Sequence, residues 1–172
     1  LSIERRVALK VLRPELARVE SQVQRFVAEA QAVNRVRHPH IIEVEDLVQD
    51  GERVYFVMEL LRGPTLKALA KDAPIELTRS VRLMRQAASA LAAAHGVGVI
   101  HRDLKPDNFV VERDPDGHEH LKVLDFGVAR VRGMDLKQTY KTQAGQVVGT
   151  PLWMAPEQVL GHVVGLAGAE LV

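Results

Sequence analysis

A dense group of polar residues, HRDLKPDN, occupies positions 101–108, directly after the apolar run 97–100. Within this group, Asp103 can accept a proton from a hydroxyl group, and Lys105 can neutralise charge on a transferring phosphoryl group. Asn108 and the more distant Asp125 offer the hard oxygen ligands that Mg²⁺ prefers. These residue types suggest chemistry on a phosphate, with a base and a metal site close together.

A lysine and a glutamate in the N-terminal third lie in apolar surroundings. Lys10 is part of the run VALKVL at 7–12, and Glu29 is flanked by Ala28 and Ala30 on a predicted helix. The ordinary interpretation is a surface lysine and a solvated glutamate, just as a single aspartate is usually a turn or helix-cap residue. The alternative is that Lys10 pairs with Glu29 and presents its ammonium group to a phosphate oxygen. The joint spacing of these residues favours the second interpretation.

The apolar periodicity of the sequence predicts the elements that position these residues. The helix predicted at 75–95 is expected to bury an apolar face. A hairpin later in the chain brings Asn108 and Asp125 together. The long predicted loop 125–156 is either a functional segment or evidence against the assignment of the elements around it. The predicted strands are 6–12, 41–48, 53–60, 109–112 and 121–124, and a second helix is predicted at 19–36. In the helix predicted at 75–95, the residues expected to be buried are Val81, Met84, Ala88, Leu91 and His95.

The composition is that of a globular protein with a hydrophobic core, because 47% of the 172 residues are hydrophobic and 26% are charged. The formal net charge of +1 provides no overall field for nucleic acid or an anionic membrane, so a phosphate site must be local. With no cysteine, disulfides and thiolate metal sites are excluded, which fits a reducing compartment without proving one. The tripeptide His118-Glu119-His120 is interpreted as a solvated hairpin turn and not as a metal site.

Five motifs follow one another in the chain: VALK at 7–10, Glu29 in its helix, HRDLKPDN at 101–108, DFG at 125–127 and APE at 155–157. In this order they resemble the motifs of the eukaryotic-type, or Hanks-type, serine/threonine protein kinases. Lys105 and the stretch GTPLWM at 149–154 resemble the serine/threonine branch, and RFVAEA at 25–30 resembles bacterial members.

The resemblance implies an α+β, two-lobed protein-kinase-like fold. Residues 1–61 are expected to form a partial, β-rich N-lobe without its first strands, and residues 62–172 a partial helical C-lobe that ends before its helical base. Nine residues precede Lys10 and none of them is glycine, so the family's glycine-rich phosphate loop is expected upstream of the chain. We therefore expect a kinase domain truncated at both ends.

The resemblance also implies roles for the polar residues. Asp103 is the expected catalytic base, with Lys105 beside it. Asn108 and Asp125 are expected to hold Mg²⁺, for which Mn²⁺ can substitute, while Lys10 binds the α- and β-phosphates of ATP.

Further residues are expected to shape the nucleotide site. Glu29 is expected to hold the phosphate-binding lysine, and His101, Phe126 and Val33 to form an apolar stack that links the lobes. The backbone of Glu59 and Leu61 is expected to bond the adenine edge. Met58 is expected to lie behind the adenine pocket, with Ala8 above the ring and Val110 below it.

Regulation is expected in the activation segment. Arg102 is expected to receive a phosphate carried by Thr139 or Thr142, which lie midway in that segment, and the alternative is that both are ordinary exposed threonines. Thr150 is expected to hydrogen-bond near Asp103.

The resemblance predicts transfer of the γ-phosphoryl group of Mg-ATP to serine or threonine hydroxyls of a protein substrate. The alternative is a catalytically inactive remnant that binds a nucleotide or protein weakly, although intact Lys10, Asp103 and Asp125 favour the enzyme. A nucleotide-binding switch protein lacks support because no G-x-x-x-x-G-K-[ST] is present. We expect a cytoplasmic location, no nucleic-acid partner and no membrane segment within this chain, although a longer parent could carry an anchor. The oligomeric state is not indicated.

Overall fold

The computed structural model describes residues 5–51, 53–126, 130–131 and 151–156. Its N-terminal part is an antiparallel sheet of β1 (Val7–Val11), β2 (Val44–Asp50) and β3 (Arg53–Glu59), in the order β1-β3-β2. The register places Lys10 opposite Phe56. The predicted first and third strands are confirmed, whereas β2 begins three residues later than predicted, because Ile41 bridges to Val123 in the C-terminal part.

One long helix covers this sheet. Helix α2 (Glu20–Arg35) buries Phe26, Ala30, Ala32 and Val33, and the Phe26 ring lies 4.8 Å from the Phe56 ring, centroid to centroid. The helix ends at an extended Val36, three residues before the proline that breaks the predicted periodicity. The predicted helix is confirmed, although a separate short helix α1 (Pro14–Ala17), with proline in its first turn, precedes it.

Two helices follow the sheet, and both begin at a side-chain cap. Helix α3 (Leu66–Asp72), which was not predicted, is capped by the Thr65 hydroxyl, which accepts a hydrogen bond from the Ala68 N–H at 3.1 Å. Helix α4 (Leu77–Gly96) is capped by Glu76, whose carboxylate accepts from two N–H groups of its first turn. No helix in the part of the chain that the structure describes is both long and apolar enough to cross a membrane.

The buried face of α4 differs from the predicted one. Leu83, Ala87, Ala90 and Ala94 are buried, whereas Val81 is 53% and Met84 is 46% exposed. The predicted face was therefore wrong. Both faces have helical spacing, and the small alanines allow the neighbouring strands to approach the helix closely.

Two pairs of antiparallel strands complete the described chain. Strands β5 (Phe109–Arg113) and β6 (Glu119–Val123) form the predicted hairpin, and β4 (Val99–Ile100) pairs with the unpredicted β7 (Arg130–Val131). The interpretation of Glu119 as part of a solvated turn was wrong. Glu119 starts β6, its side chain is only 9% exposed, and it accepts two hydrogen bonds from the guanidinium of Arg79 on α4 at 2.7 and 3.0 Å.

The sheet and the hairpin are joined by the segment between α2 and β2. The Ile42 N–H donates to the Val123 carbonyl at 3.0 Å, and the Val123 N–H donates to the His40 carbonyl at 2.8 Å. Both parts also contribute to one buried cluster, which includes Phe56 from the sheet and Leu121 from the hairpin. This junction fixes the position of the β1 lysine relative to the segment that follows β6.

Candidate active site

The Lys10 ammonium group bridges two carboxylates. Its Nζ atom donates to Glu29 Oε1 at 2.6 Å and to Asp125 Oδ1 at 2.7 Å. Glu29, which lies on α2 and is the partner that the sequence predicts for Lys10, is therefore in direct contact with it. The contact with Asp125, which follows β6, was not predicted, and it brings together residues 115 positions apart in the chain.

Burial and charge act in opposite directions on this cluster. Burial by itself lowers the pKa of Lys10, but the two carboxylates outweigh it, so the pKa lies above its ordinary value. Burial raises the pKa of Glu29 more than the ammonium group lowers it. The first shift favours the charged pair and the second opposes it. Because the ammonium group contacts two carboxylates at once, the charged form of Lys10 is favoured.

The 101–108 loop forms its own network around Asp103. Lys105 Nζ lies 2.8 Å from Asp103 Oδ2, and the Asn108 side-chain amide donates to the Asp103 carbonyl at 2.8 Å. Asn108 is only 4% exposed and ends a short 3₁₀ turn, Pro106–Asn108. Because its nitrogen is used in this contact, the amide oxygen is the Asn108 atom suited to ligate a cation.

Buried His101 ties this loop to the segment that carries Asp125. The Asp103 N–H donates to His101 Nδ1 at 3.3 Å, so the proton of the neutral ring lies on Nε2, which donates to the Leu124 carbonyl at 2.7 Å. Burial lowers the pKa of His101 and keeps the ring neutral. The Leu124 N–H donates in turn to the Asn108 carbonyl at 2.8 Å. The predicted proximity of Asn108 and Asp125 therefore rests on direct bonds between their two segments.

The predicted apolar stack is buried at each of its three members. The His101 and Phe126 ring centroids lie 4.7 Å apart, and Phe126 has no exposed surface. Val33 of α2 is 4% exposed and belongs to the same buried cluster as Phe126.

Two residues of the site have strained backbone conformations. Arg102 has a φ of 66° and Asp125 a φ of 49°, and they are the two non-glycine residues with positive φ in the described chain. This region costs a residue with a side chain about 1–3 kcal/mol, and such strain concentrates at functional sites. One lies beside the predicted base and the other carries a predicted metal ligand.

A cavity of about 270 Å³ opens beside the lysine. It is lined by residues of the sheet, of α2 and of the segment after β6, among them Lys10, Glu29, Met58, Leu124 and Asp125. Met58, the residue predicted behind the adenine pocket, thus faces the same cavity as the charge cluster. This space extends toward α2, as the presence of Glu29 in its wall indicates.

The other predicted adenine contacts lie outside the lining of that cavity within the described residues. Ala8 of β1 is paired with Met58 of β3, and Glu59 ends β3. Leu61 packs against the core, and Val110 of β5, 5% exposed, is bridged to Thr65. They come from the end of the sheet and from the hairpin. The predicted regulatory threonines, Thr139, Thr142 and Thr150, lie outside the described residues.

A contact between the end of β3 and the hairpin was not predicted from the sequence. Lys122 Nζ lies 2.7 Å from Glu59 Oε1, and the same oxygen accepts the Glu43 N–H at 2.8 Å. The sequence signal that could have suggested it is the position of Lys122 between Leu121 and Val123 in β6. These two neighbours are buried, so the Lys122 side chain points away from the core.

Comparison with known proteins agrees with this geometry. The family model described as protein kinase domain matches residues 2–167. The serine/threonine-protein kinases Pkn1 and pkn3 of Myxococcus xanthus are 43% and 44% identical over 164 and 163 residues. These alignments cover 95% and 94% of this chain but 23% and 30% of the two relatives, so the chain spans less than a third of their length.

The fold is also similar to a solved structure. The crystal structure of the Mycobacterium tuberculosis PknI kinase domain matches with a TM-score of 0.60 and 31% identity, covering 72% of this chain and 50% of that one. The predicted kinase-like α+β fold is therefore confirmed. Together with the match of the family model, the resemblance to bacterial serine/threonine kinases establishes that this chain belongs to the protein kinase family.

Proposed function

We propose that the full protein transfers the γ-phosphoryl group of Mg-ATP to serine or threonine hydroxyls of a protein substrate. The observation that carries this proposal is the contact of the Lys10 ammonium group with both Glu29 and Asp125. This contact holds the Lys10 ammonium group and the Asp125 carboxylate, which is suited to bind a metal, at the wall of the same cavity. Family membership supports ATP and Mg²⁺ as the co-reactants and a protein as the acceptor.

The donor atoms present suit a magnesium ion between two segments. The Asn108 amide oxygen and the Asp125 carboxylate are hard oxygen ligands, and Mn²⁺ accepts the same set. Their segments are joined by the hydrogen bond from the Leu124 N–H to the Asn108 carbonyl. Asn108 and Asp125 would hold this ion, which would supply positive charge to offset the negative charge of the phosphates.

The chain's own residues would then act on the proton and the phosphates. Asp103 is proposed to accept the hydroxyl proton while the hydroxyl oxygen bonds to the γ-phosphorus and the bond to ADP breaks. Lys105, 2.8 Å from the Asp103 carboxylate, would place positive charge beside the transferring group. Lys10 would bind the α- and β-phosphates, held for that role by Glu29.

The adenine ring is proposed to lie at the end of β3. The backbone of Glu59 and Leu61 would bond its edge, with Ala8 above and Val110 below, and Met58 behind. The boundary between a lobe of residues 1–61 and a lobe of residues 62–172 would then fall at this connection. The use of ATP also leads us to propose a cytoplasmic location.

Regulation by phosphorylation is a further part of the proposal. A phosphate on Thr139 or Thr142 would add negative charge that Arg102 can pair with. Thr150 would hydrogen-bond near Asp103 and help to position the acceptor hydroxyl.

The proposal is tested with the protein as its gene encodes it. Incubation with Mg-ATP labelled at the γ-phosphate and a generic protein substrate should yield phosphoserine or phosphothreonine by mass spectrometry. The product should disappear when Mg²⁺ is chelated and should return with Mn²⁺. Nucleotide binding without any transfer would favour the inactive alternative, and the absence of both would refute the proposal.

A further inference from the structure

A carboxylate of the hairpin binds the backbone that follows the proposed adenine site. The N–H groups of Arg62 and Gly63 both donate to the Oε1 atom of Glu112, the former at 2.5 Å. Glu112 lies on β5, about 50 positions further along the chain. Hydrogen bonds of this kind, in which the acceptor is charged, are roughly twice as strong as neutral ones.

The same stretch of backbone, residues 60–65, lies directly against β5. The Val111 N–H donates to the Pro64 carbonyl at 2.9 Å, and Thr65 is bridged to Val110. At Gly63, an added Cβ would lie 1.9 Å from the Val111 carbonyl oxygen, so the two backbones approach more closely than any side chain permits. We call residues 60–65 the linker. Its position is set by one strand of the hairpin.

The end of β3, just before the linker, is also anchored to the hairpin. Glu59 contacts Lys122 of β6 at 2.7 Å. The backbone of residues 59–61, which is proposed to bond the adenine edge, is therefore held between a contact to β6 on one side and the Glu112 carboxylate on the other. A backbone that is pre-organised in this way loses less conformational freedom when a ligand binds.

We infer that Glu112 is a positioning residue for nucleotide binding: its carboxylate fixes the linker so that the backbone of Glu59 and Leu61 meets the adenine edge. This inference rests on the proposed function. Glu112 does not touch the reacting phosphate region, which is built from Lys10 and the 101–108 loop. Its removal should therefore weaken ATP binding and leave the chemical step intact.

The test compares the steady-state kinetics of Glu112→Ala, Glu112→Gln and the wild type in the protein as its gene encodes it. Glu112→Ala should raise the KM for ATP about 3- to 10-fold, with kcat within about twofold, because two charge-assisted hydrogen bonds are lost. Glu112→Gln keeps an acceptor oxygen and should restore KM to within about twofold of wild type. Asp116→Ala, which removes an exposed carboxylate from the same hairpin, is the matched control and should leave KM unchanged.

A purely structural role would lower kcat through loss of active protein and would leave KM unchanged, and that result would overturn the inference. If Glu112→Ala does not fold, Glu112→Asp gives the same test, because its carboxylate is one methylene shorter and should raise KM by a smaller factor. An unchanged KM in that variant would equally overturn it. A wild type that binds no ATP would refute the proposed function instead, whereas a wild type that binds ATP with the same KM as the variants refutes only the role of Glu112.

Discussion

The charge cluster around Lys10 gives the sharpest prediction for a single substitution. Glu29→Gln removes one carboxylate and keeps the shape of the side chain. The ammonium group would then retain Asp125 alone, at 2.7 Å, and would be drawn toward the proposed metal ligand. We expect weaker phosphate binding and a modest loss of stability.

The size of both effects follows from the burial of the cluster. Each contact at about 2.7 Å provides roughly 6 kcal/mol of direct attraction at an effective dielectric constant of about 20, most of which desolvation offsets. Removing one partner of a fully buried pair costs about 3–5 kcal/mol, and of an exposed pair about 0–1 kcal/mol. Because the Lys10 side chain is 30% exposed and keeps its second partner, we expect a loss of about 1–2 kcal/mol in the free energy of unfolding.

The functional loss should exceed what this destabilisation alone would produce. We expect kcat/KM for ATP to fall about 10- to 100-fold, which corresponds to about 1.4–2.8 kcal/mol of transition-state stabilisation. Urea unfolding and steady-state kinetics measure the two quantities. Glu20→Gln, exposed in the first turn of the same helix, is the control and should leave the kinetics unchanged, with a loss of no more than about 1 kcal/mol in the free energy of unfolding. Kinetics of Glu29→Gln within twofold of wild type would refute the assigned role of the cluster.

Two further predictions concern stability. Gly63→Ala should destabilise the protein by about 1–3 kcal/mol, because its Cβ would meet the Val111 backbone, whereas Gly96→Ala, with nothing within 4 Å, should not; equal melting temperatures for the two variants would contradict this. Burial holds the pKa of His101 below 6.5, so the unfolded chain binds more protons than the folded one as the pH falls below that value. The free energy of unfolding should then decrease toward acid pH by up to about 1.4 kcal/mol per pH unit, and urea titrations should show a flatter profile for His101→Phe. An identical pH profile in that variant would count against the neutral buried ring.

Much of the site could be predicted from short motifs. Asp103, Lys105 and Asn108 lie within one stretch of the chain, and the hairpin that follows has clear strand and turn signals. Once the hairpin forms, its two ends meet, which brings Asp125 close to Asn108. Lys10 and Glu29 could be predicted as a pair because each is a charged residue between apolar neighbours, and a charge in such surroundings requires a partner of opposite sign.

The features that sequence reasoning missed depend on tertiary contacts. Val81 and Leu83 lie on two apolar faces of one helix, and periodicity does not decide which face a neighbouring strand covers. Strand β7 has two residues and exists through its pairing with β4. The contact between Glu112 and the linker joins positions about 50 apart, and no local pattern marks a glutamate at the end of a strand as an acceptor for backbone N–H groups.

The most direct test of the central claim is a single-turnover measurement of phosphoryl transfer by Asp103→Asn. A positioned base typically contributes about 10²–10⁴ in rate, so we expect the rate of transfer to fall at least about 100-fold while the Kd for Mg-ATP stays within about twofold. Asp107→Asn, in the same loop but paired with Lys67 at 2.8 Å, should retain the wild-type rate. Transfer by Asp103→Asn at the wild-type rate would contradict the account.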